Sequence, residues 1–131
     1  MSATYTIQGA DFGIRSEGPI ENSQQVRSIL EQYDWSSELA LQKQMKSQGL
    51  DEAPPNLIVL RELGIYYQLC PLDDESYMAY CVVQEPTKLL GIIKWSKDVL
   101  LEADAISHNT AVEGIKRFLN ADESWLKLNI K

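Results

Sequence analysis

The strongest constraint on this chain is a pair of aromatic, apolar runs separated by a few turn-forming residues. Ile65-Tyr66-Tyr67-Gln68-Leu69-Cys70 and Tyr77-Met78-Ala79-Tyr80-Cys81-Val82-Val83 are rich in residues that suit a pleated, half-buried surface. Pro71-Leu72-Asp73-Asp74-Glu75-Ser76 joins them, so the pattern predicts a β-hairpin. Glu85-Pro86-Thr87 reads as a second reversal, leading into a strand from Leu89 to Trp95. Three successive strands with short links predict an antiparallel meander over 64–95.

The rest of the chain has to pack on that sheet. Thr4, Tyr5, Thr6 and Ile7 suit a short strand at a sheet edge. Asn22 with Gln25 three residues later is a capping-box pattern, and Val26, Ile29, Leu30 and Tyr33 then fall on one helical face. After Asp34 the register slips. Ser36 or Ser37 can cap a further segment with Leu39, Ala40 and Met45, stopped by Gly49, which gives one bent helix or two short ones. Pro54-Pro55 breaks the chain. In 57–63 the threefold spacing of Leu57, Leu60 and Leu63 suggests a helix, while β-branched Ile58 and Val59 favour a strand, the preferred reading. Val99-Leu100-Leu101 fits either a sheet or a helical turn. Thr110 with Glu113 is another capping-box pattern, heading a helix over 110–119 with Val112, Ile115, Phe118 and Leu119 on one face. Leu126, Leu128 and Ile130 alternate with polar residues, the period of a C-terminal strand. The fold class is therefore α+β: a mainly antiparallel sheet, its helices packed on one face, in a single domain 1–131.

Composition narrows the function. With 44% hydrophobic residues the chain sits near the globular average of roughly 45–50%. The net charge of −7, from 19 acidic and 12 basic residues, disfavours both nucleic acid and anionic membrane as partners. The start, Met1-Ser2-Ala3-Thr4-Tyr5, lacks the basic and apolar stretches of a secretion signal, so a cytoplasmic location is expected. Cys70 and Cys81 lie within apolar runs and should be reduced, buried thiols.

No catalytic or metal pattern emerges. His108 is the only histidine, placed beside Asn109 and Thr110 as prospective helix caps, and both cysteines fall on strand interiors rather than in electropositive, accessible sites. Two cysteines and one distant histidine match no zinc spacing. Asp73-Asp74-Glu75 lacks the alternating ligands and central glycine of a calcium loop. Gly9-Ala10-Asp11-Phe12-Gly13 has no strand–helix context for phosphate binding. No cofactor is expected. The preferred reading is a non-enzymatic protein-binding module, of the kind that neutralises a basic protein such as a nuclease-type toxin. Bacterial immunity proteins and other inhibitors share this small, acidic profile, as does a holding chaperone, and a homodimer is compatible with it. The expected partner-binding residues are the acids Asp51, Glu52, Asp73, Asp74 and Glu75, which steer a basic partner, and the hairpin tyrosines Tyr66, Tyr67, Tyr77 and Tyr80, which anchor it. The alternative is a small enzyme or ligand-binding protein with a pocket between sheet and helices.

Overall fold

A computed structural model describes residues 3–89 and 93–131 of the chain. Its elements are β1 (Thr4–Gln8), β2 (Ile14–Pro19), α1 (Ser23–Gln32), α2 (Trp35–Ser47), β3 (Asn56–Glu62), β4 (Ile65–Pro71), β5 (Tyr77–Leu89), β6 (Ile93–Ile106), α3 (His108–Leu119) and α4 (Glu123–Asn129). The strands form one sheet in the order β2-β1-β3-β4-β5-β6, and every neighbouring pair is antiparallel. The α+β class and the meander are as the sequence predicts.

Strand alternation sorts side chains into two sets. Ile7, Leu57, Val59, Ile65, Tyr67, Leu69, Ala79, Cys81 and Val83 point inward and are buried. They share one core with Val26 and Leu30 of α1, Ala111, Ile115 and Phe118 of α3, and Leu126 and Ile130 at α4. Helix α3 rests on β4 and β5, α4 on β5, and α1 against α3. Both cysteines are free and buried.

Two close fits hold this arrangement. At Gly114 a β-carbon would lie 2.2 Å from the Tyr67 hydroxyl, so only glycine lets α3 settle onto β4. Tyr67 uses that proximity to donate to the Ala111 carbonyl at 3.0 Å and to stack on Phe118. The second fit ties the β1–β2 hairpin to α2. Glu38, buried on α2, accepts from Arg15 Nε at 2.8 Å, from the Tyr33 hydroxyl and from the Ala10 backbone at 3.4 Å. A β-carbon at Gly9 would sit 2.4 Å from the Arg15 guanidinium, so a bare backbone there makes room for the pair.

Several expectations are corrected. The C-terminal strand is helix α4: Asp122 caps it by accepting from the Trp125 N–H, and Leu126 and Ile130, four apart, are buried while Leu128 is exposed. The alternation placed Leu126 and Ile130 correctly and failed at Leu128, because its period was wrong. β1 is an interior strand, because Ile14–Pro19, unrecognised in the sequence, covers its edge. Glu85-Pro86-Thr87 is no reversal. β5 runs through it to Leu89 and pairs antiparallel with β6 from Ile93; of the strand expected from Leu89 to Trp95, Leu90, Gly91 and Ile92 lie outside the described residues. Among the described residues, β4 pairs with β5 only as far as Cys81, so Pro86 lies beyond that ladder. Of the two readings of Val99-Leu100-Leu101, the sheet holds: they lie in β6. Asp34, not Ser36 or Ser37, caps α2, and α1 and α2 are separate helices. Ser107, not Thr110 or Asn109, caps α3, accepting from the Thr110 N–H at 3.1 Å. The 57–63 segment is a strand, as preferred.

Candidate functional site

Helices α1 and α2 and the β4–β5 turn enclose a cleft of about 600 Å³. The local sequence makes this space. Tyr33 ends α1, Asp34 restarts the chain as the α2 cap, and Trp35 begins the new helix at the corner. Trp35 is pinned there by donating Nε1–H to the Leu30 carbonyl at 2.8 Å and by edge-on contact with Tyr33 at 4.7 Å between ring centres. Opposite, the turn after Pro71 is shaped by Asp74, which accepts from the Ser76 backbone and hydroxyl and is held below the usual carboxylate range by those bonds. The cleft is thus walled by Leu30, Trp35, Leu39 and Ala40 on the helical side and Pro71, Leu72 and Tyr77 on the sheet side.

Its rim is charged and mostly acidic. Glu31, Asp73 and Glu75 line it, with Lys43 the cation among the lining residues. Lys43 already pairs with Asp73 at 3.0 Å, across an exposed contact worth little in water.

At one end a chain of hydrogen bonds joins three elements. The Tyr77 hydroxyl lies 3.0 Å from His108 Nδ1, and His108 Nε2 lies 2.7 Å from Glu31 Oε2. A carboxylate only accepts, so Nε2–H donates to Glu31, and the Tyr77 hydroxyl and Nδ1 share the second hydrogen bond. The bond from His108 is the main reason that Glu31 is held below its ordinary range, with Arg27 helping. Burial, and then the charges of Glu31 and Glu75, push the Tyr77 hydroxyl upward, so it stays a proton donor.

The nine residues expected to bind a partner fall in four places. Asp73, Glu75 and Tyr77 line the cleft, and Asp74 builds the adjoining turn. Asp51 and Glu52 lie beyond the end of α2, where Glu52 pairs with Lys46 at 3.4 Å. Tyr66 and Tyr80 are half-buried on the uncovered side of the sheet. Tyr67 is sealed in the core, where its hydroxyl is committed to Ala111, so it is withdrawn as a surface anchor. Glu31, Trp35, Leu39, Lys43 and His108 were missed. The one available signal was a lone histidine at a helix start, and its two partners come from 31 and 77 residues away.

Among the described residues, no three His, Cys, Asp or Glu side chains gather to hold a metal ion, and no helix is long and apolar enough to cross a membrane. Comparison of the chain with protein-family models, curated proteins and solved structures gives no match.

Proposed function

We propose that this protein is a binding module for another protein, and that its cleft receives an apolar segment flanked by basic residues. The observation that carries this reading is the pairing, in one groove, of an apolar wall containing Trp35 with the acidic rim of Glu31, Asp73 and Glu75. Apolar side chains entering the groove lose water-exposed area, and lysines or arginines beside them meet carboxylates. Asp73 can exchange its exposed Lys43 for an incoming cation at little cost. A basic protein, including a toxin held by an immunity-type inhibitor, fits this chemistry.

The Tyr77–His108–Glu31 chain favours a second reading, acid–base catalysis on a small ligand in the same cleft. Its geometry weighs against that. Both ring nitrogens of His108 are engaged by protein groups, so neither is free to take a proton from a substrate. The chain reads better as a clamp holding α1, β5 and α3 together around the groove.

Selection from a displayed random-peptide library tests the proposal. Enriched peptides should carry an apolar anchor between lysines or arginines. Their affinity should fall at least tenfold with Trp35→Ala and with Asp73→Ser/Glu75→Ser. Their association rate should drop as salt shortens the Debye length from about 10 Å at 0.1 M to about 3 Å at 1 M. Peptides without basic residues, or binding that survives both variants, would refute it. Turnover of a small molecule abolished by Tyr77→Phe would put the second reading in its place.

A further inference from the structure

The face of the sheet turned away from the helices carries a different message from the cleft. Antiparallel sheets with one solvated face ordinarily alternate apolar-in and polar-out. Here the outward set is itself apolar in its middle. Reading the register across the strands, one row is Glu17, Thr6, Ile58, Gln68, Tyr80 and Glu102. The next begins Pro19, Thr4, Leu60 and Tyr66, and Val82 and Leu100 are paired further along the same face. Met78, opposite Cys70, adds to it. Among the described residues, none of these large side chains belongs to the buried core, although Val82 packs against it from the side, and at one end of the face Asn56 and Cys70 are buried. Leu100 is 48% exposed.

The charge pattern identifies what can cover this face. A quarter of the chain is charged, 24%, yet the outward side chains of Thr4–Gln8, Asn56–Leu60, Tyr66–Cys70 and Met78–Val82 include no charged residue. Among the described residues, acids stand at the margins, Glu17 on β2 and Asp98, Glu102 and Asp104 on β6. A basic partner gains nothing at a neutral face. A second copy, carrying the same −7, is repelled by most of this protein's surface and can approach closely only where charge is absent. The polar groups on the face suit self-pairing: the amide of Gln68 and the hydroxyls of Tyr66 and Tyr80 each donate and accept, as an isologous contact requires. Strands about 4.8 Å apart and some 20 Å long give the four uncharged strands a plan area of about 400 Å². Side-chain relief raises the accessible area towards the ~800 Å² per partner of a stable interface.

We propose that this uncovered face is a homodimer interface, two copies packing sheet against sheet through Ile58, Leu60, Tyr66, Tyr80, Val82 and Leu100. The cleft lies on the helical side and stays open in such a dimer, so the inference stands apart from the function proposed for it.

Sedimentation equilibrium of the full chain, from about 5 to 200 μM, tests the proposal. The wild type should approach twice its 14.8 kDa chain mass. Association should tighten between 0.05 and 0.5 M salt, because screening relieves repulsion between two acidic copies, the reverse of the salt effect expected at the cleft. Leu60→Glu and Tyr80→Glu should each weaken the dimer at least a hundredfold with unchanged far-ultraviolet circular dichroism. Leu63→Glu, at a turn position already 96% exposed, should leave the mass unchanged. If the glutamate variants fail to fold, Gln68→Cys decides the matter: at the middle of the face it should be joined to its copy by a short bis-maleimide, and its failure to cross-link would overturn the proposal. A wild type that stays at 14.8 kDa throughout, or a dimer indifferent to both face variants, would overturn it as well.

Discussion

Replacing Gly114 with alanine sets two effects of opposite sign against each other. Alanine in a helix interior is favoured over glycine by about 1 kcal/mol, so propensity alone predicts a more stable protein. The packing predicts the reverse. The new β-carbon would lie 2.2 Å from the Tyr67 hydroxyl and 2.7 Å from its ring carbon Cζ, and real β-carbons do not approach so closely. Tyr67 is fully buried and stacked on Phe118, so it cannot swing aside. Helix α3 must lift instead. Overpacking of this kind costs about 1–3 kcal/mol, and the Tyr67–Ala111 hydrogen bond, worth about 1 kcal/mol, is strained or lost with it. The net expectation is a loss of about 1–3 kcal/mol. With a urea slope of about 1.5 kcal/mol per molar, the unfolding midpoint falls by about 0.7–2 M.

A double-mutant cycle isolates the cause. Tyr67→Phe removes the nearer clash and keeps the one at Cζ, so the pair should show partial rescue, with a coupling of about 0.5–2 kcal/mol. Because His108 opens α3, lifting the helix should also shift its imidazole resonances, which links this packing contact to the shape of the cleft. A Gly114→Ala protein as stable as the wild type, or strictly additive effects in the cycle, would refute the close approach of α3 to β4.

Three further outcomes follow from other contacts. Glu38→Gln should cost about 2 kcal/mol, since it strips the charge from a buried carboxylate that pairs with Arg15. Arg15 chiefly, then Tyr33 and the Ala10 N–H, hold the Glu38 carboxyl below its ordinary 4.5, so its share of stability is present above that value and lost as pH falls through the lower, folded value. Thermal unfolding between pH 2.5 and 6 should therefore show the gap between wild type and variant closing on the acid side, and a constant gap would contradict the pairing. At the C-terminus, Leu126→Ala should cost about 2–5 kcal/mol and Leu128→Ala close to nothing, as measured by urea unfolding; equal costs would restore the strand reading. Burial pushes the thiols of Cys70 and Cys81 up to about 11 and about 12, so native protein at pH 8 should react with a thiol reagent far more slowly than the unfolded chain. Rapid native reaction of either thiol would remove it from the interior.

What the sequence could disclose is set by how far apart the deciding residues lie. The β4–β5 hairpin was legible because aromatic and β-branched residues alternate over two adjacent runs, a pattern complete within twenty residues. The helix at 108–119 was legible in its apolar face, while its cap was misplaced by three residues because Ser107 and Thr110 are both good caps and only the backbone distinguishes them. The last segment failed on period. Leu126, Leu128 and Ile130 satisfy a strand, and Leu126 with Ile130 equally satisfies a helix. Asp122, four residues ahead, decides between them by capping. β2 was invisible because Ile14-Arg15-Ser16-Glu17-Gly18-Pro19 has almost no apolar content, and pairing with β1 rather than burial makes it a strand.

The candidate site was less legible than the fold, for the same reason in stronger form. Asp73, Glu75 and Tyr77 could be picked out because they sit beside the hairpin turn, but nothing local joins them to Trp35, Leu39 or Glu31 on the helices across the groove. His108 lies 77 residues from Glu31, and only the settling of α3 onto the sheet brings them within 2.7 Å. Alternation did dictate that four hairpin tyrosines divide between two faces, and the division has consequences. Tyr67 and Tyr77 turn inward, one locking α3 down through Ala111 and the other holding its first residue, His108, so both serve the cleft from beneath. Tyr66 and Tyr80 turn outward onto the neutral face. A one-residue slip of β4 would exchange these roles and put Gln68 into the core beside Phe118, leaving a buried amide without partners. The register that makes the core is thus the same register that leaves an acidic, aromatic groove on one side and an outer face uncharged in its middle on the other, and the opposite salt responses proposed for the two surfaces both rest on it.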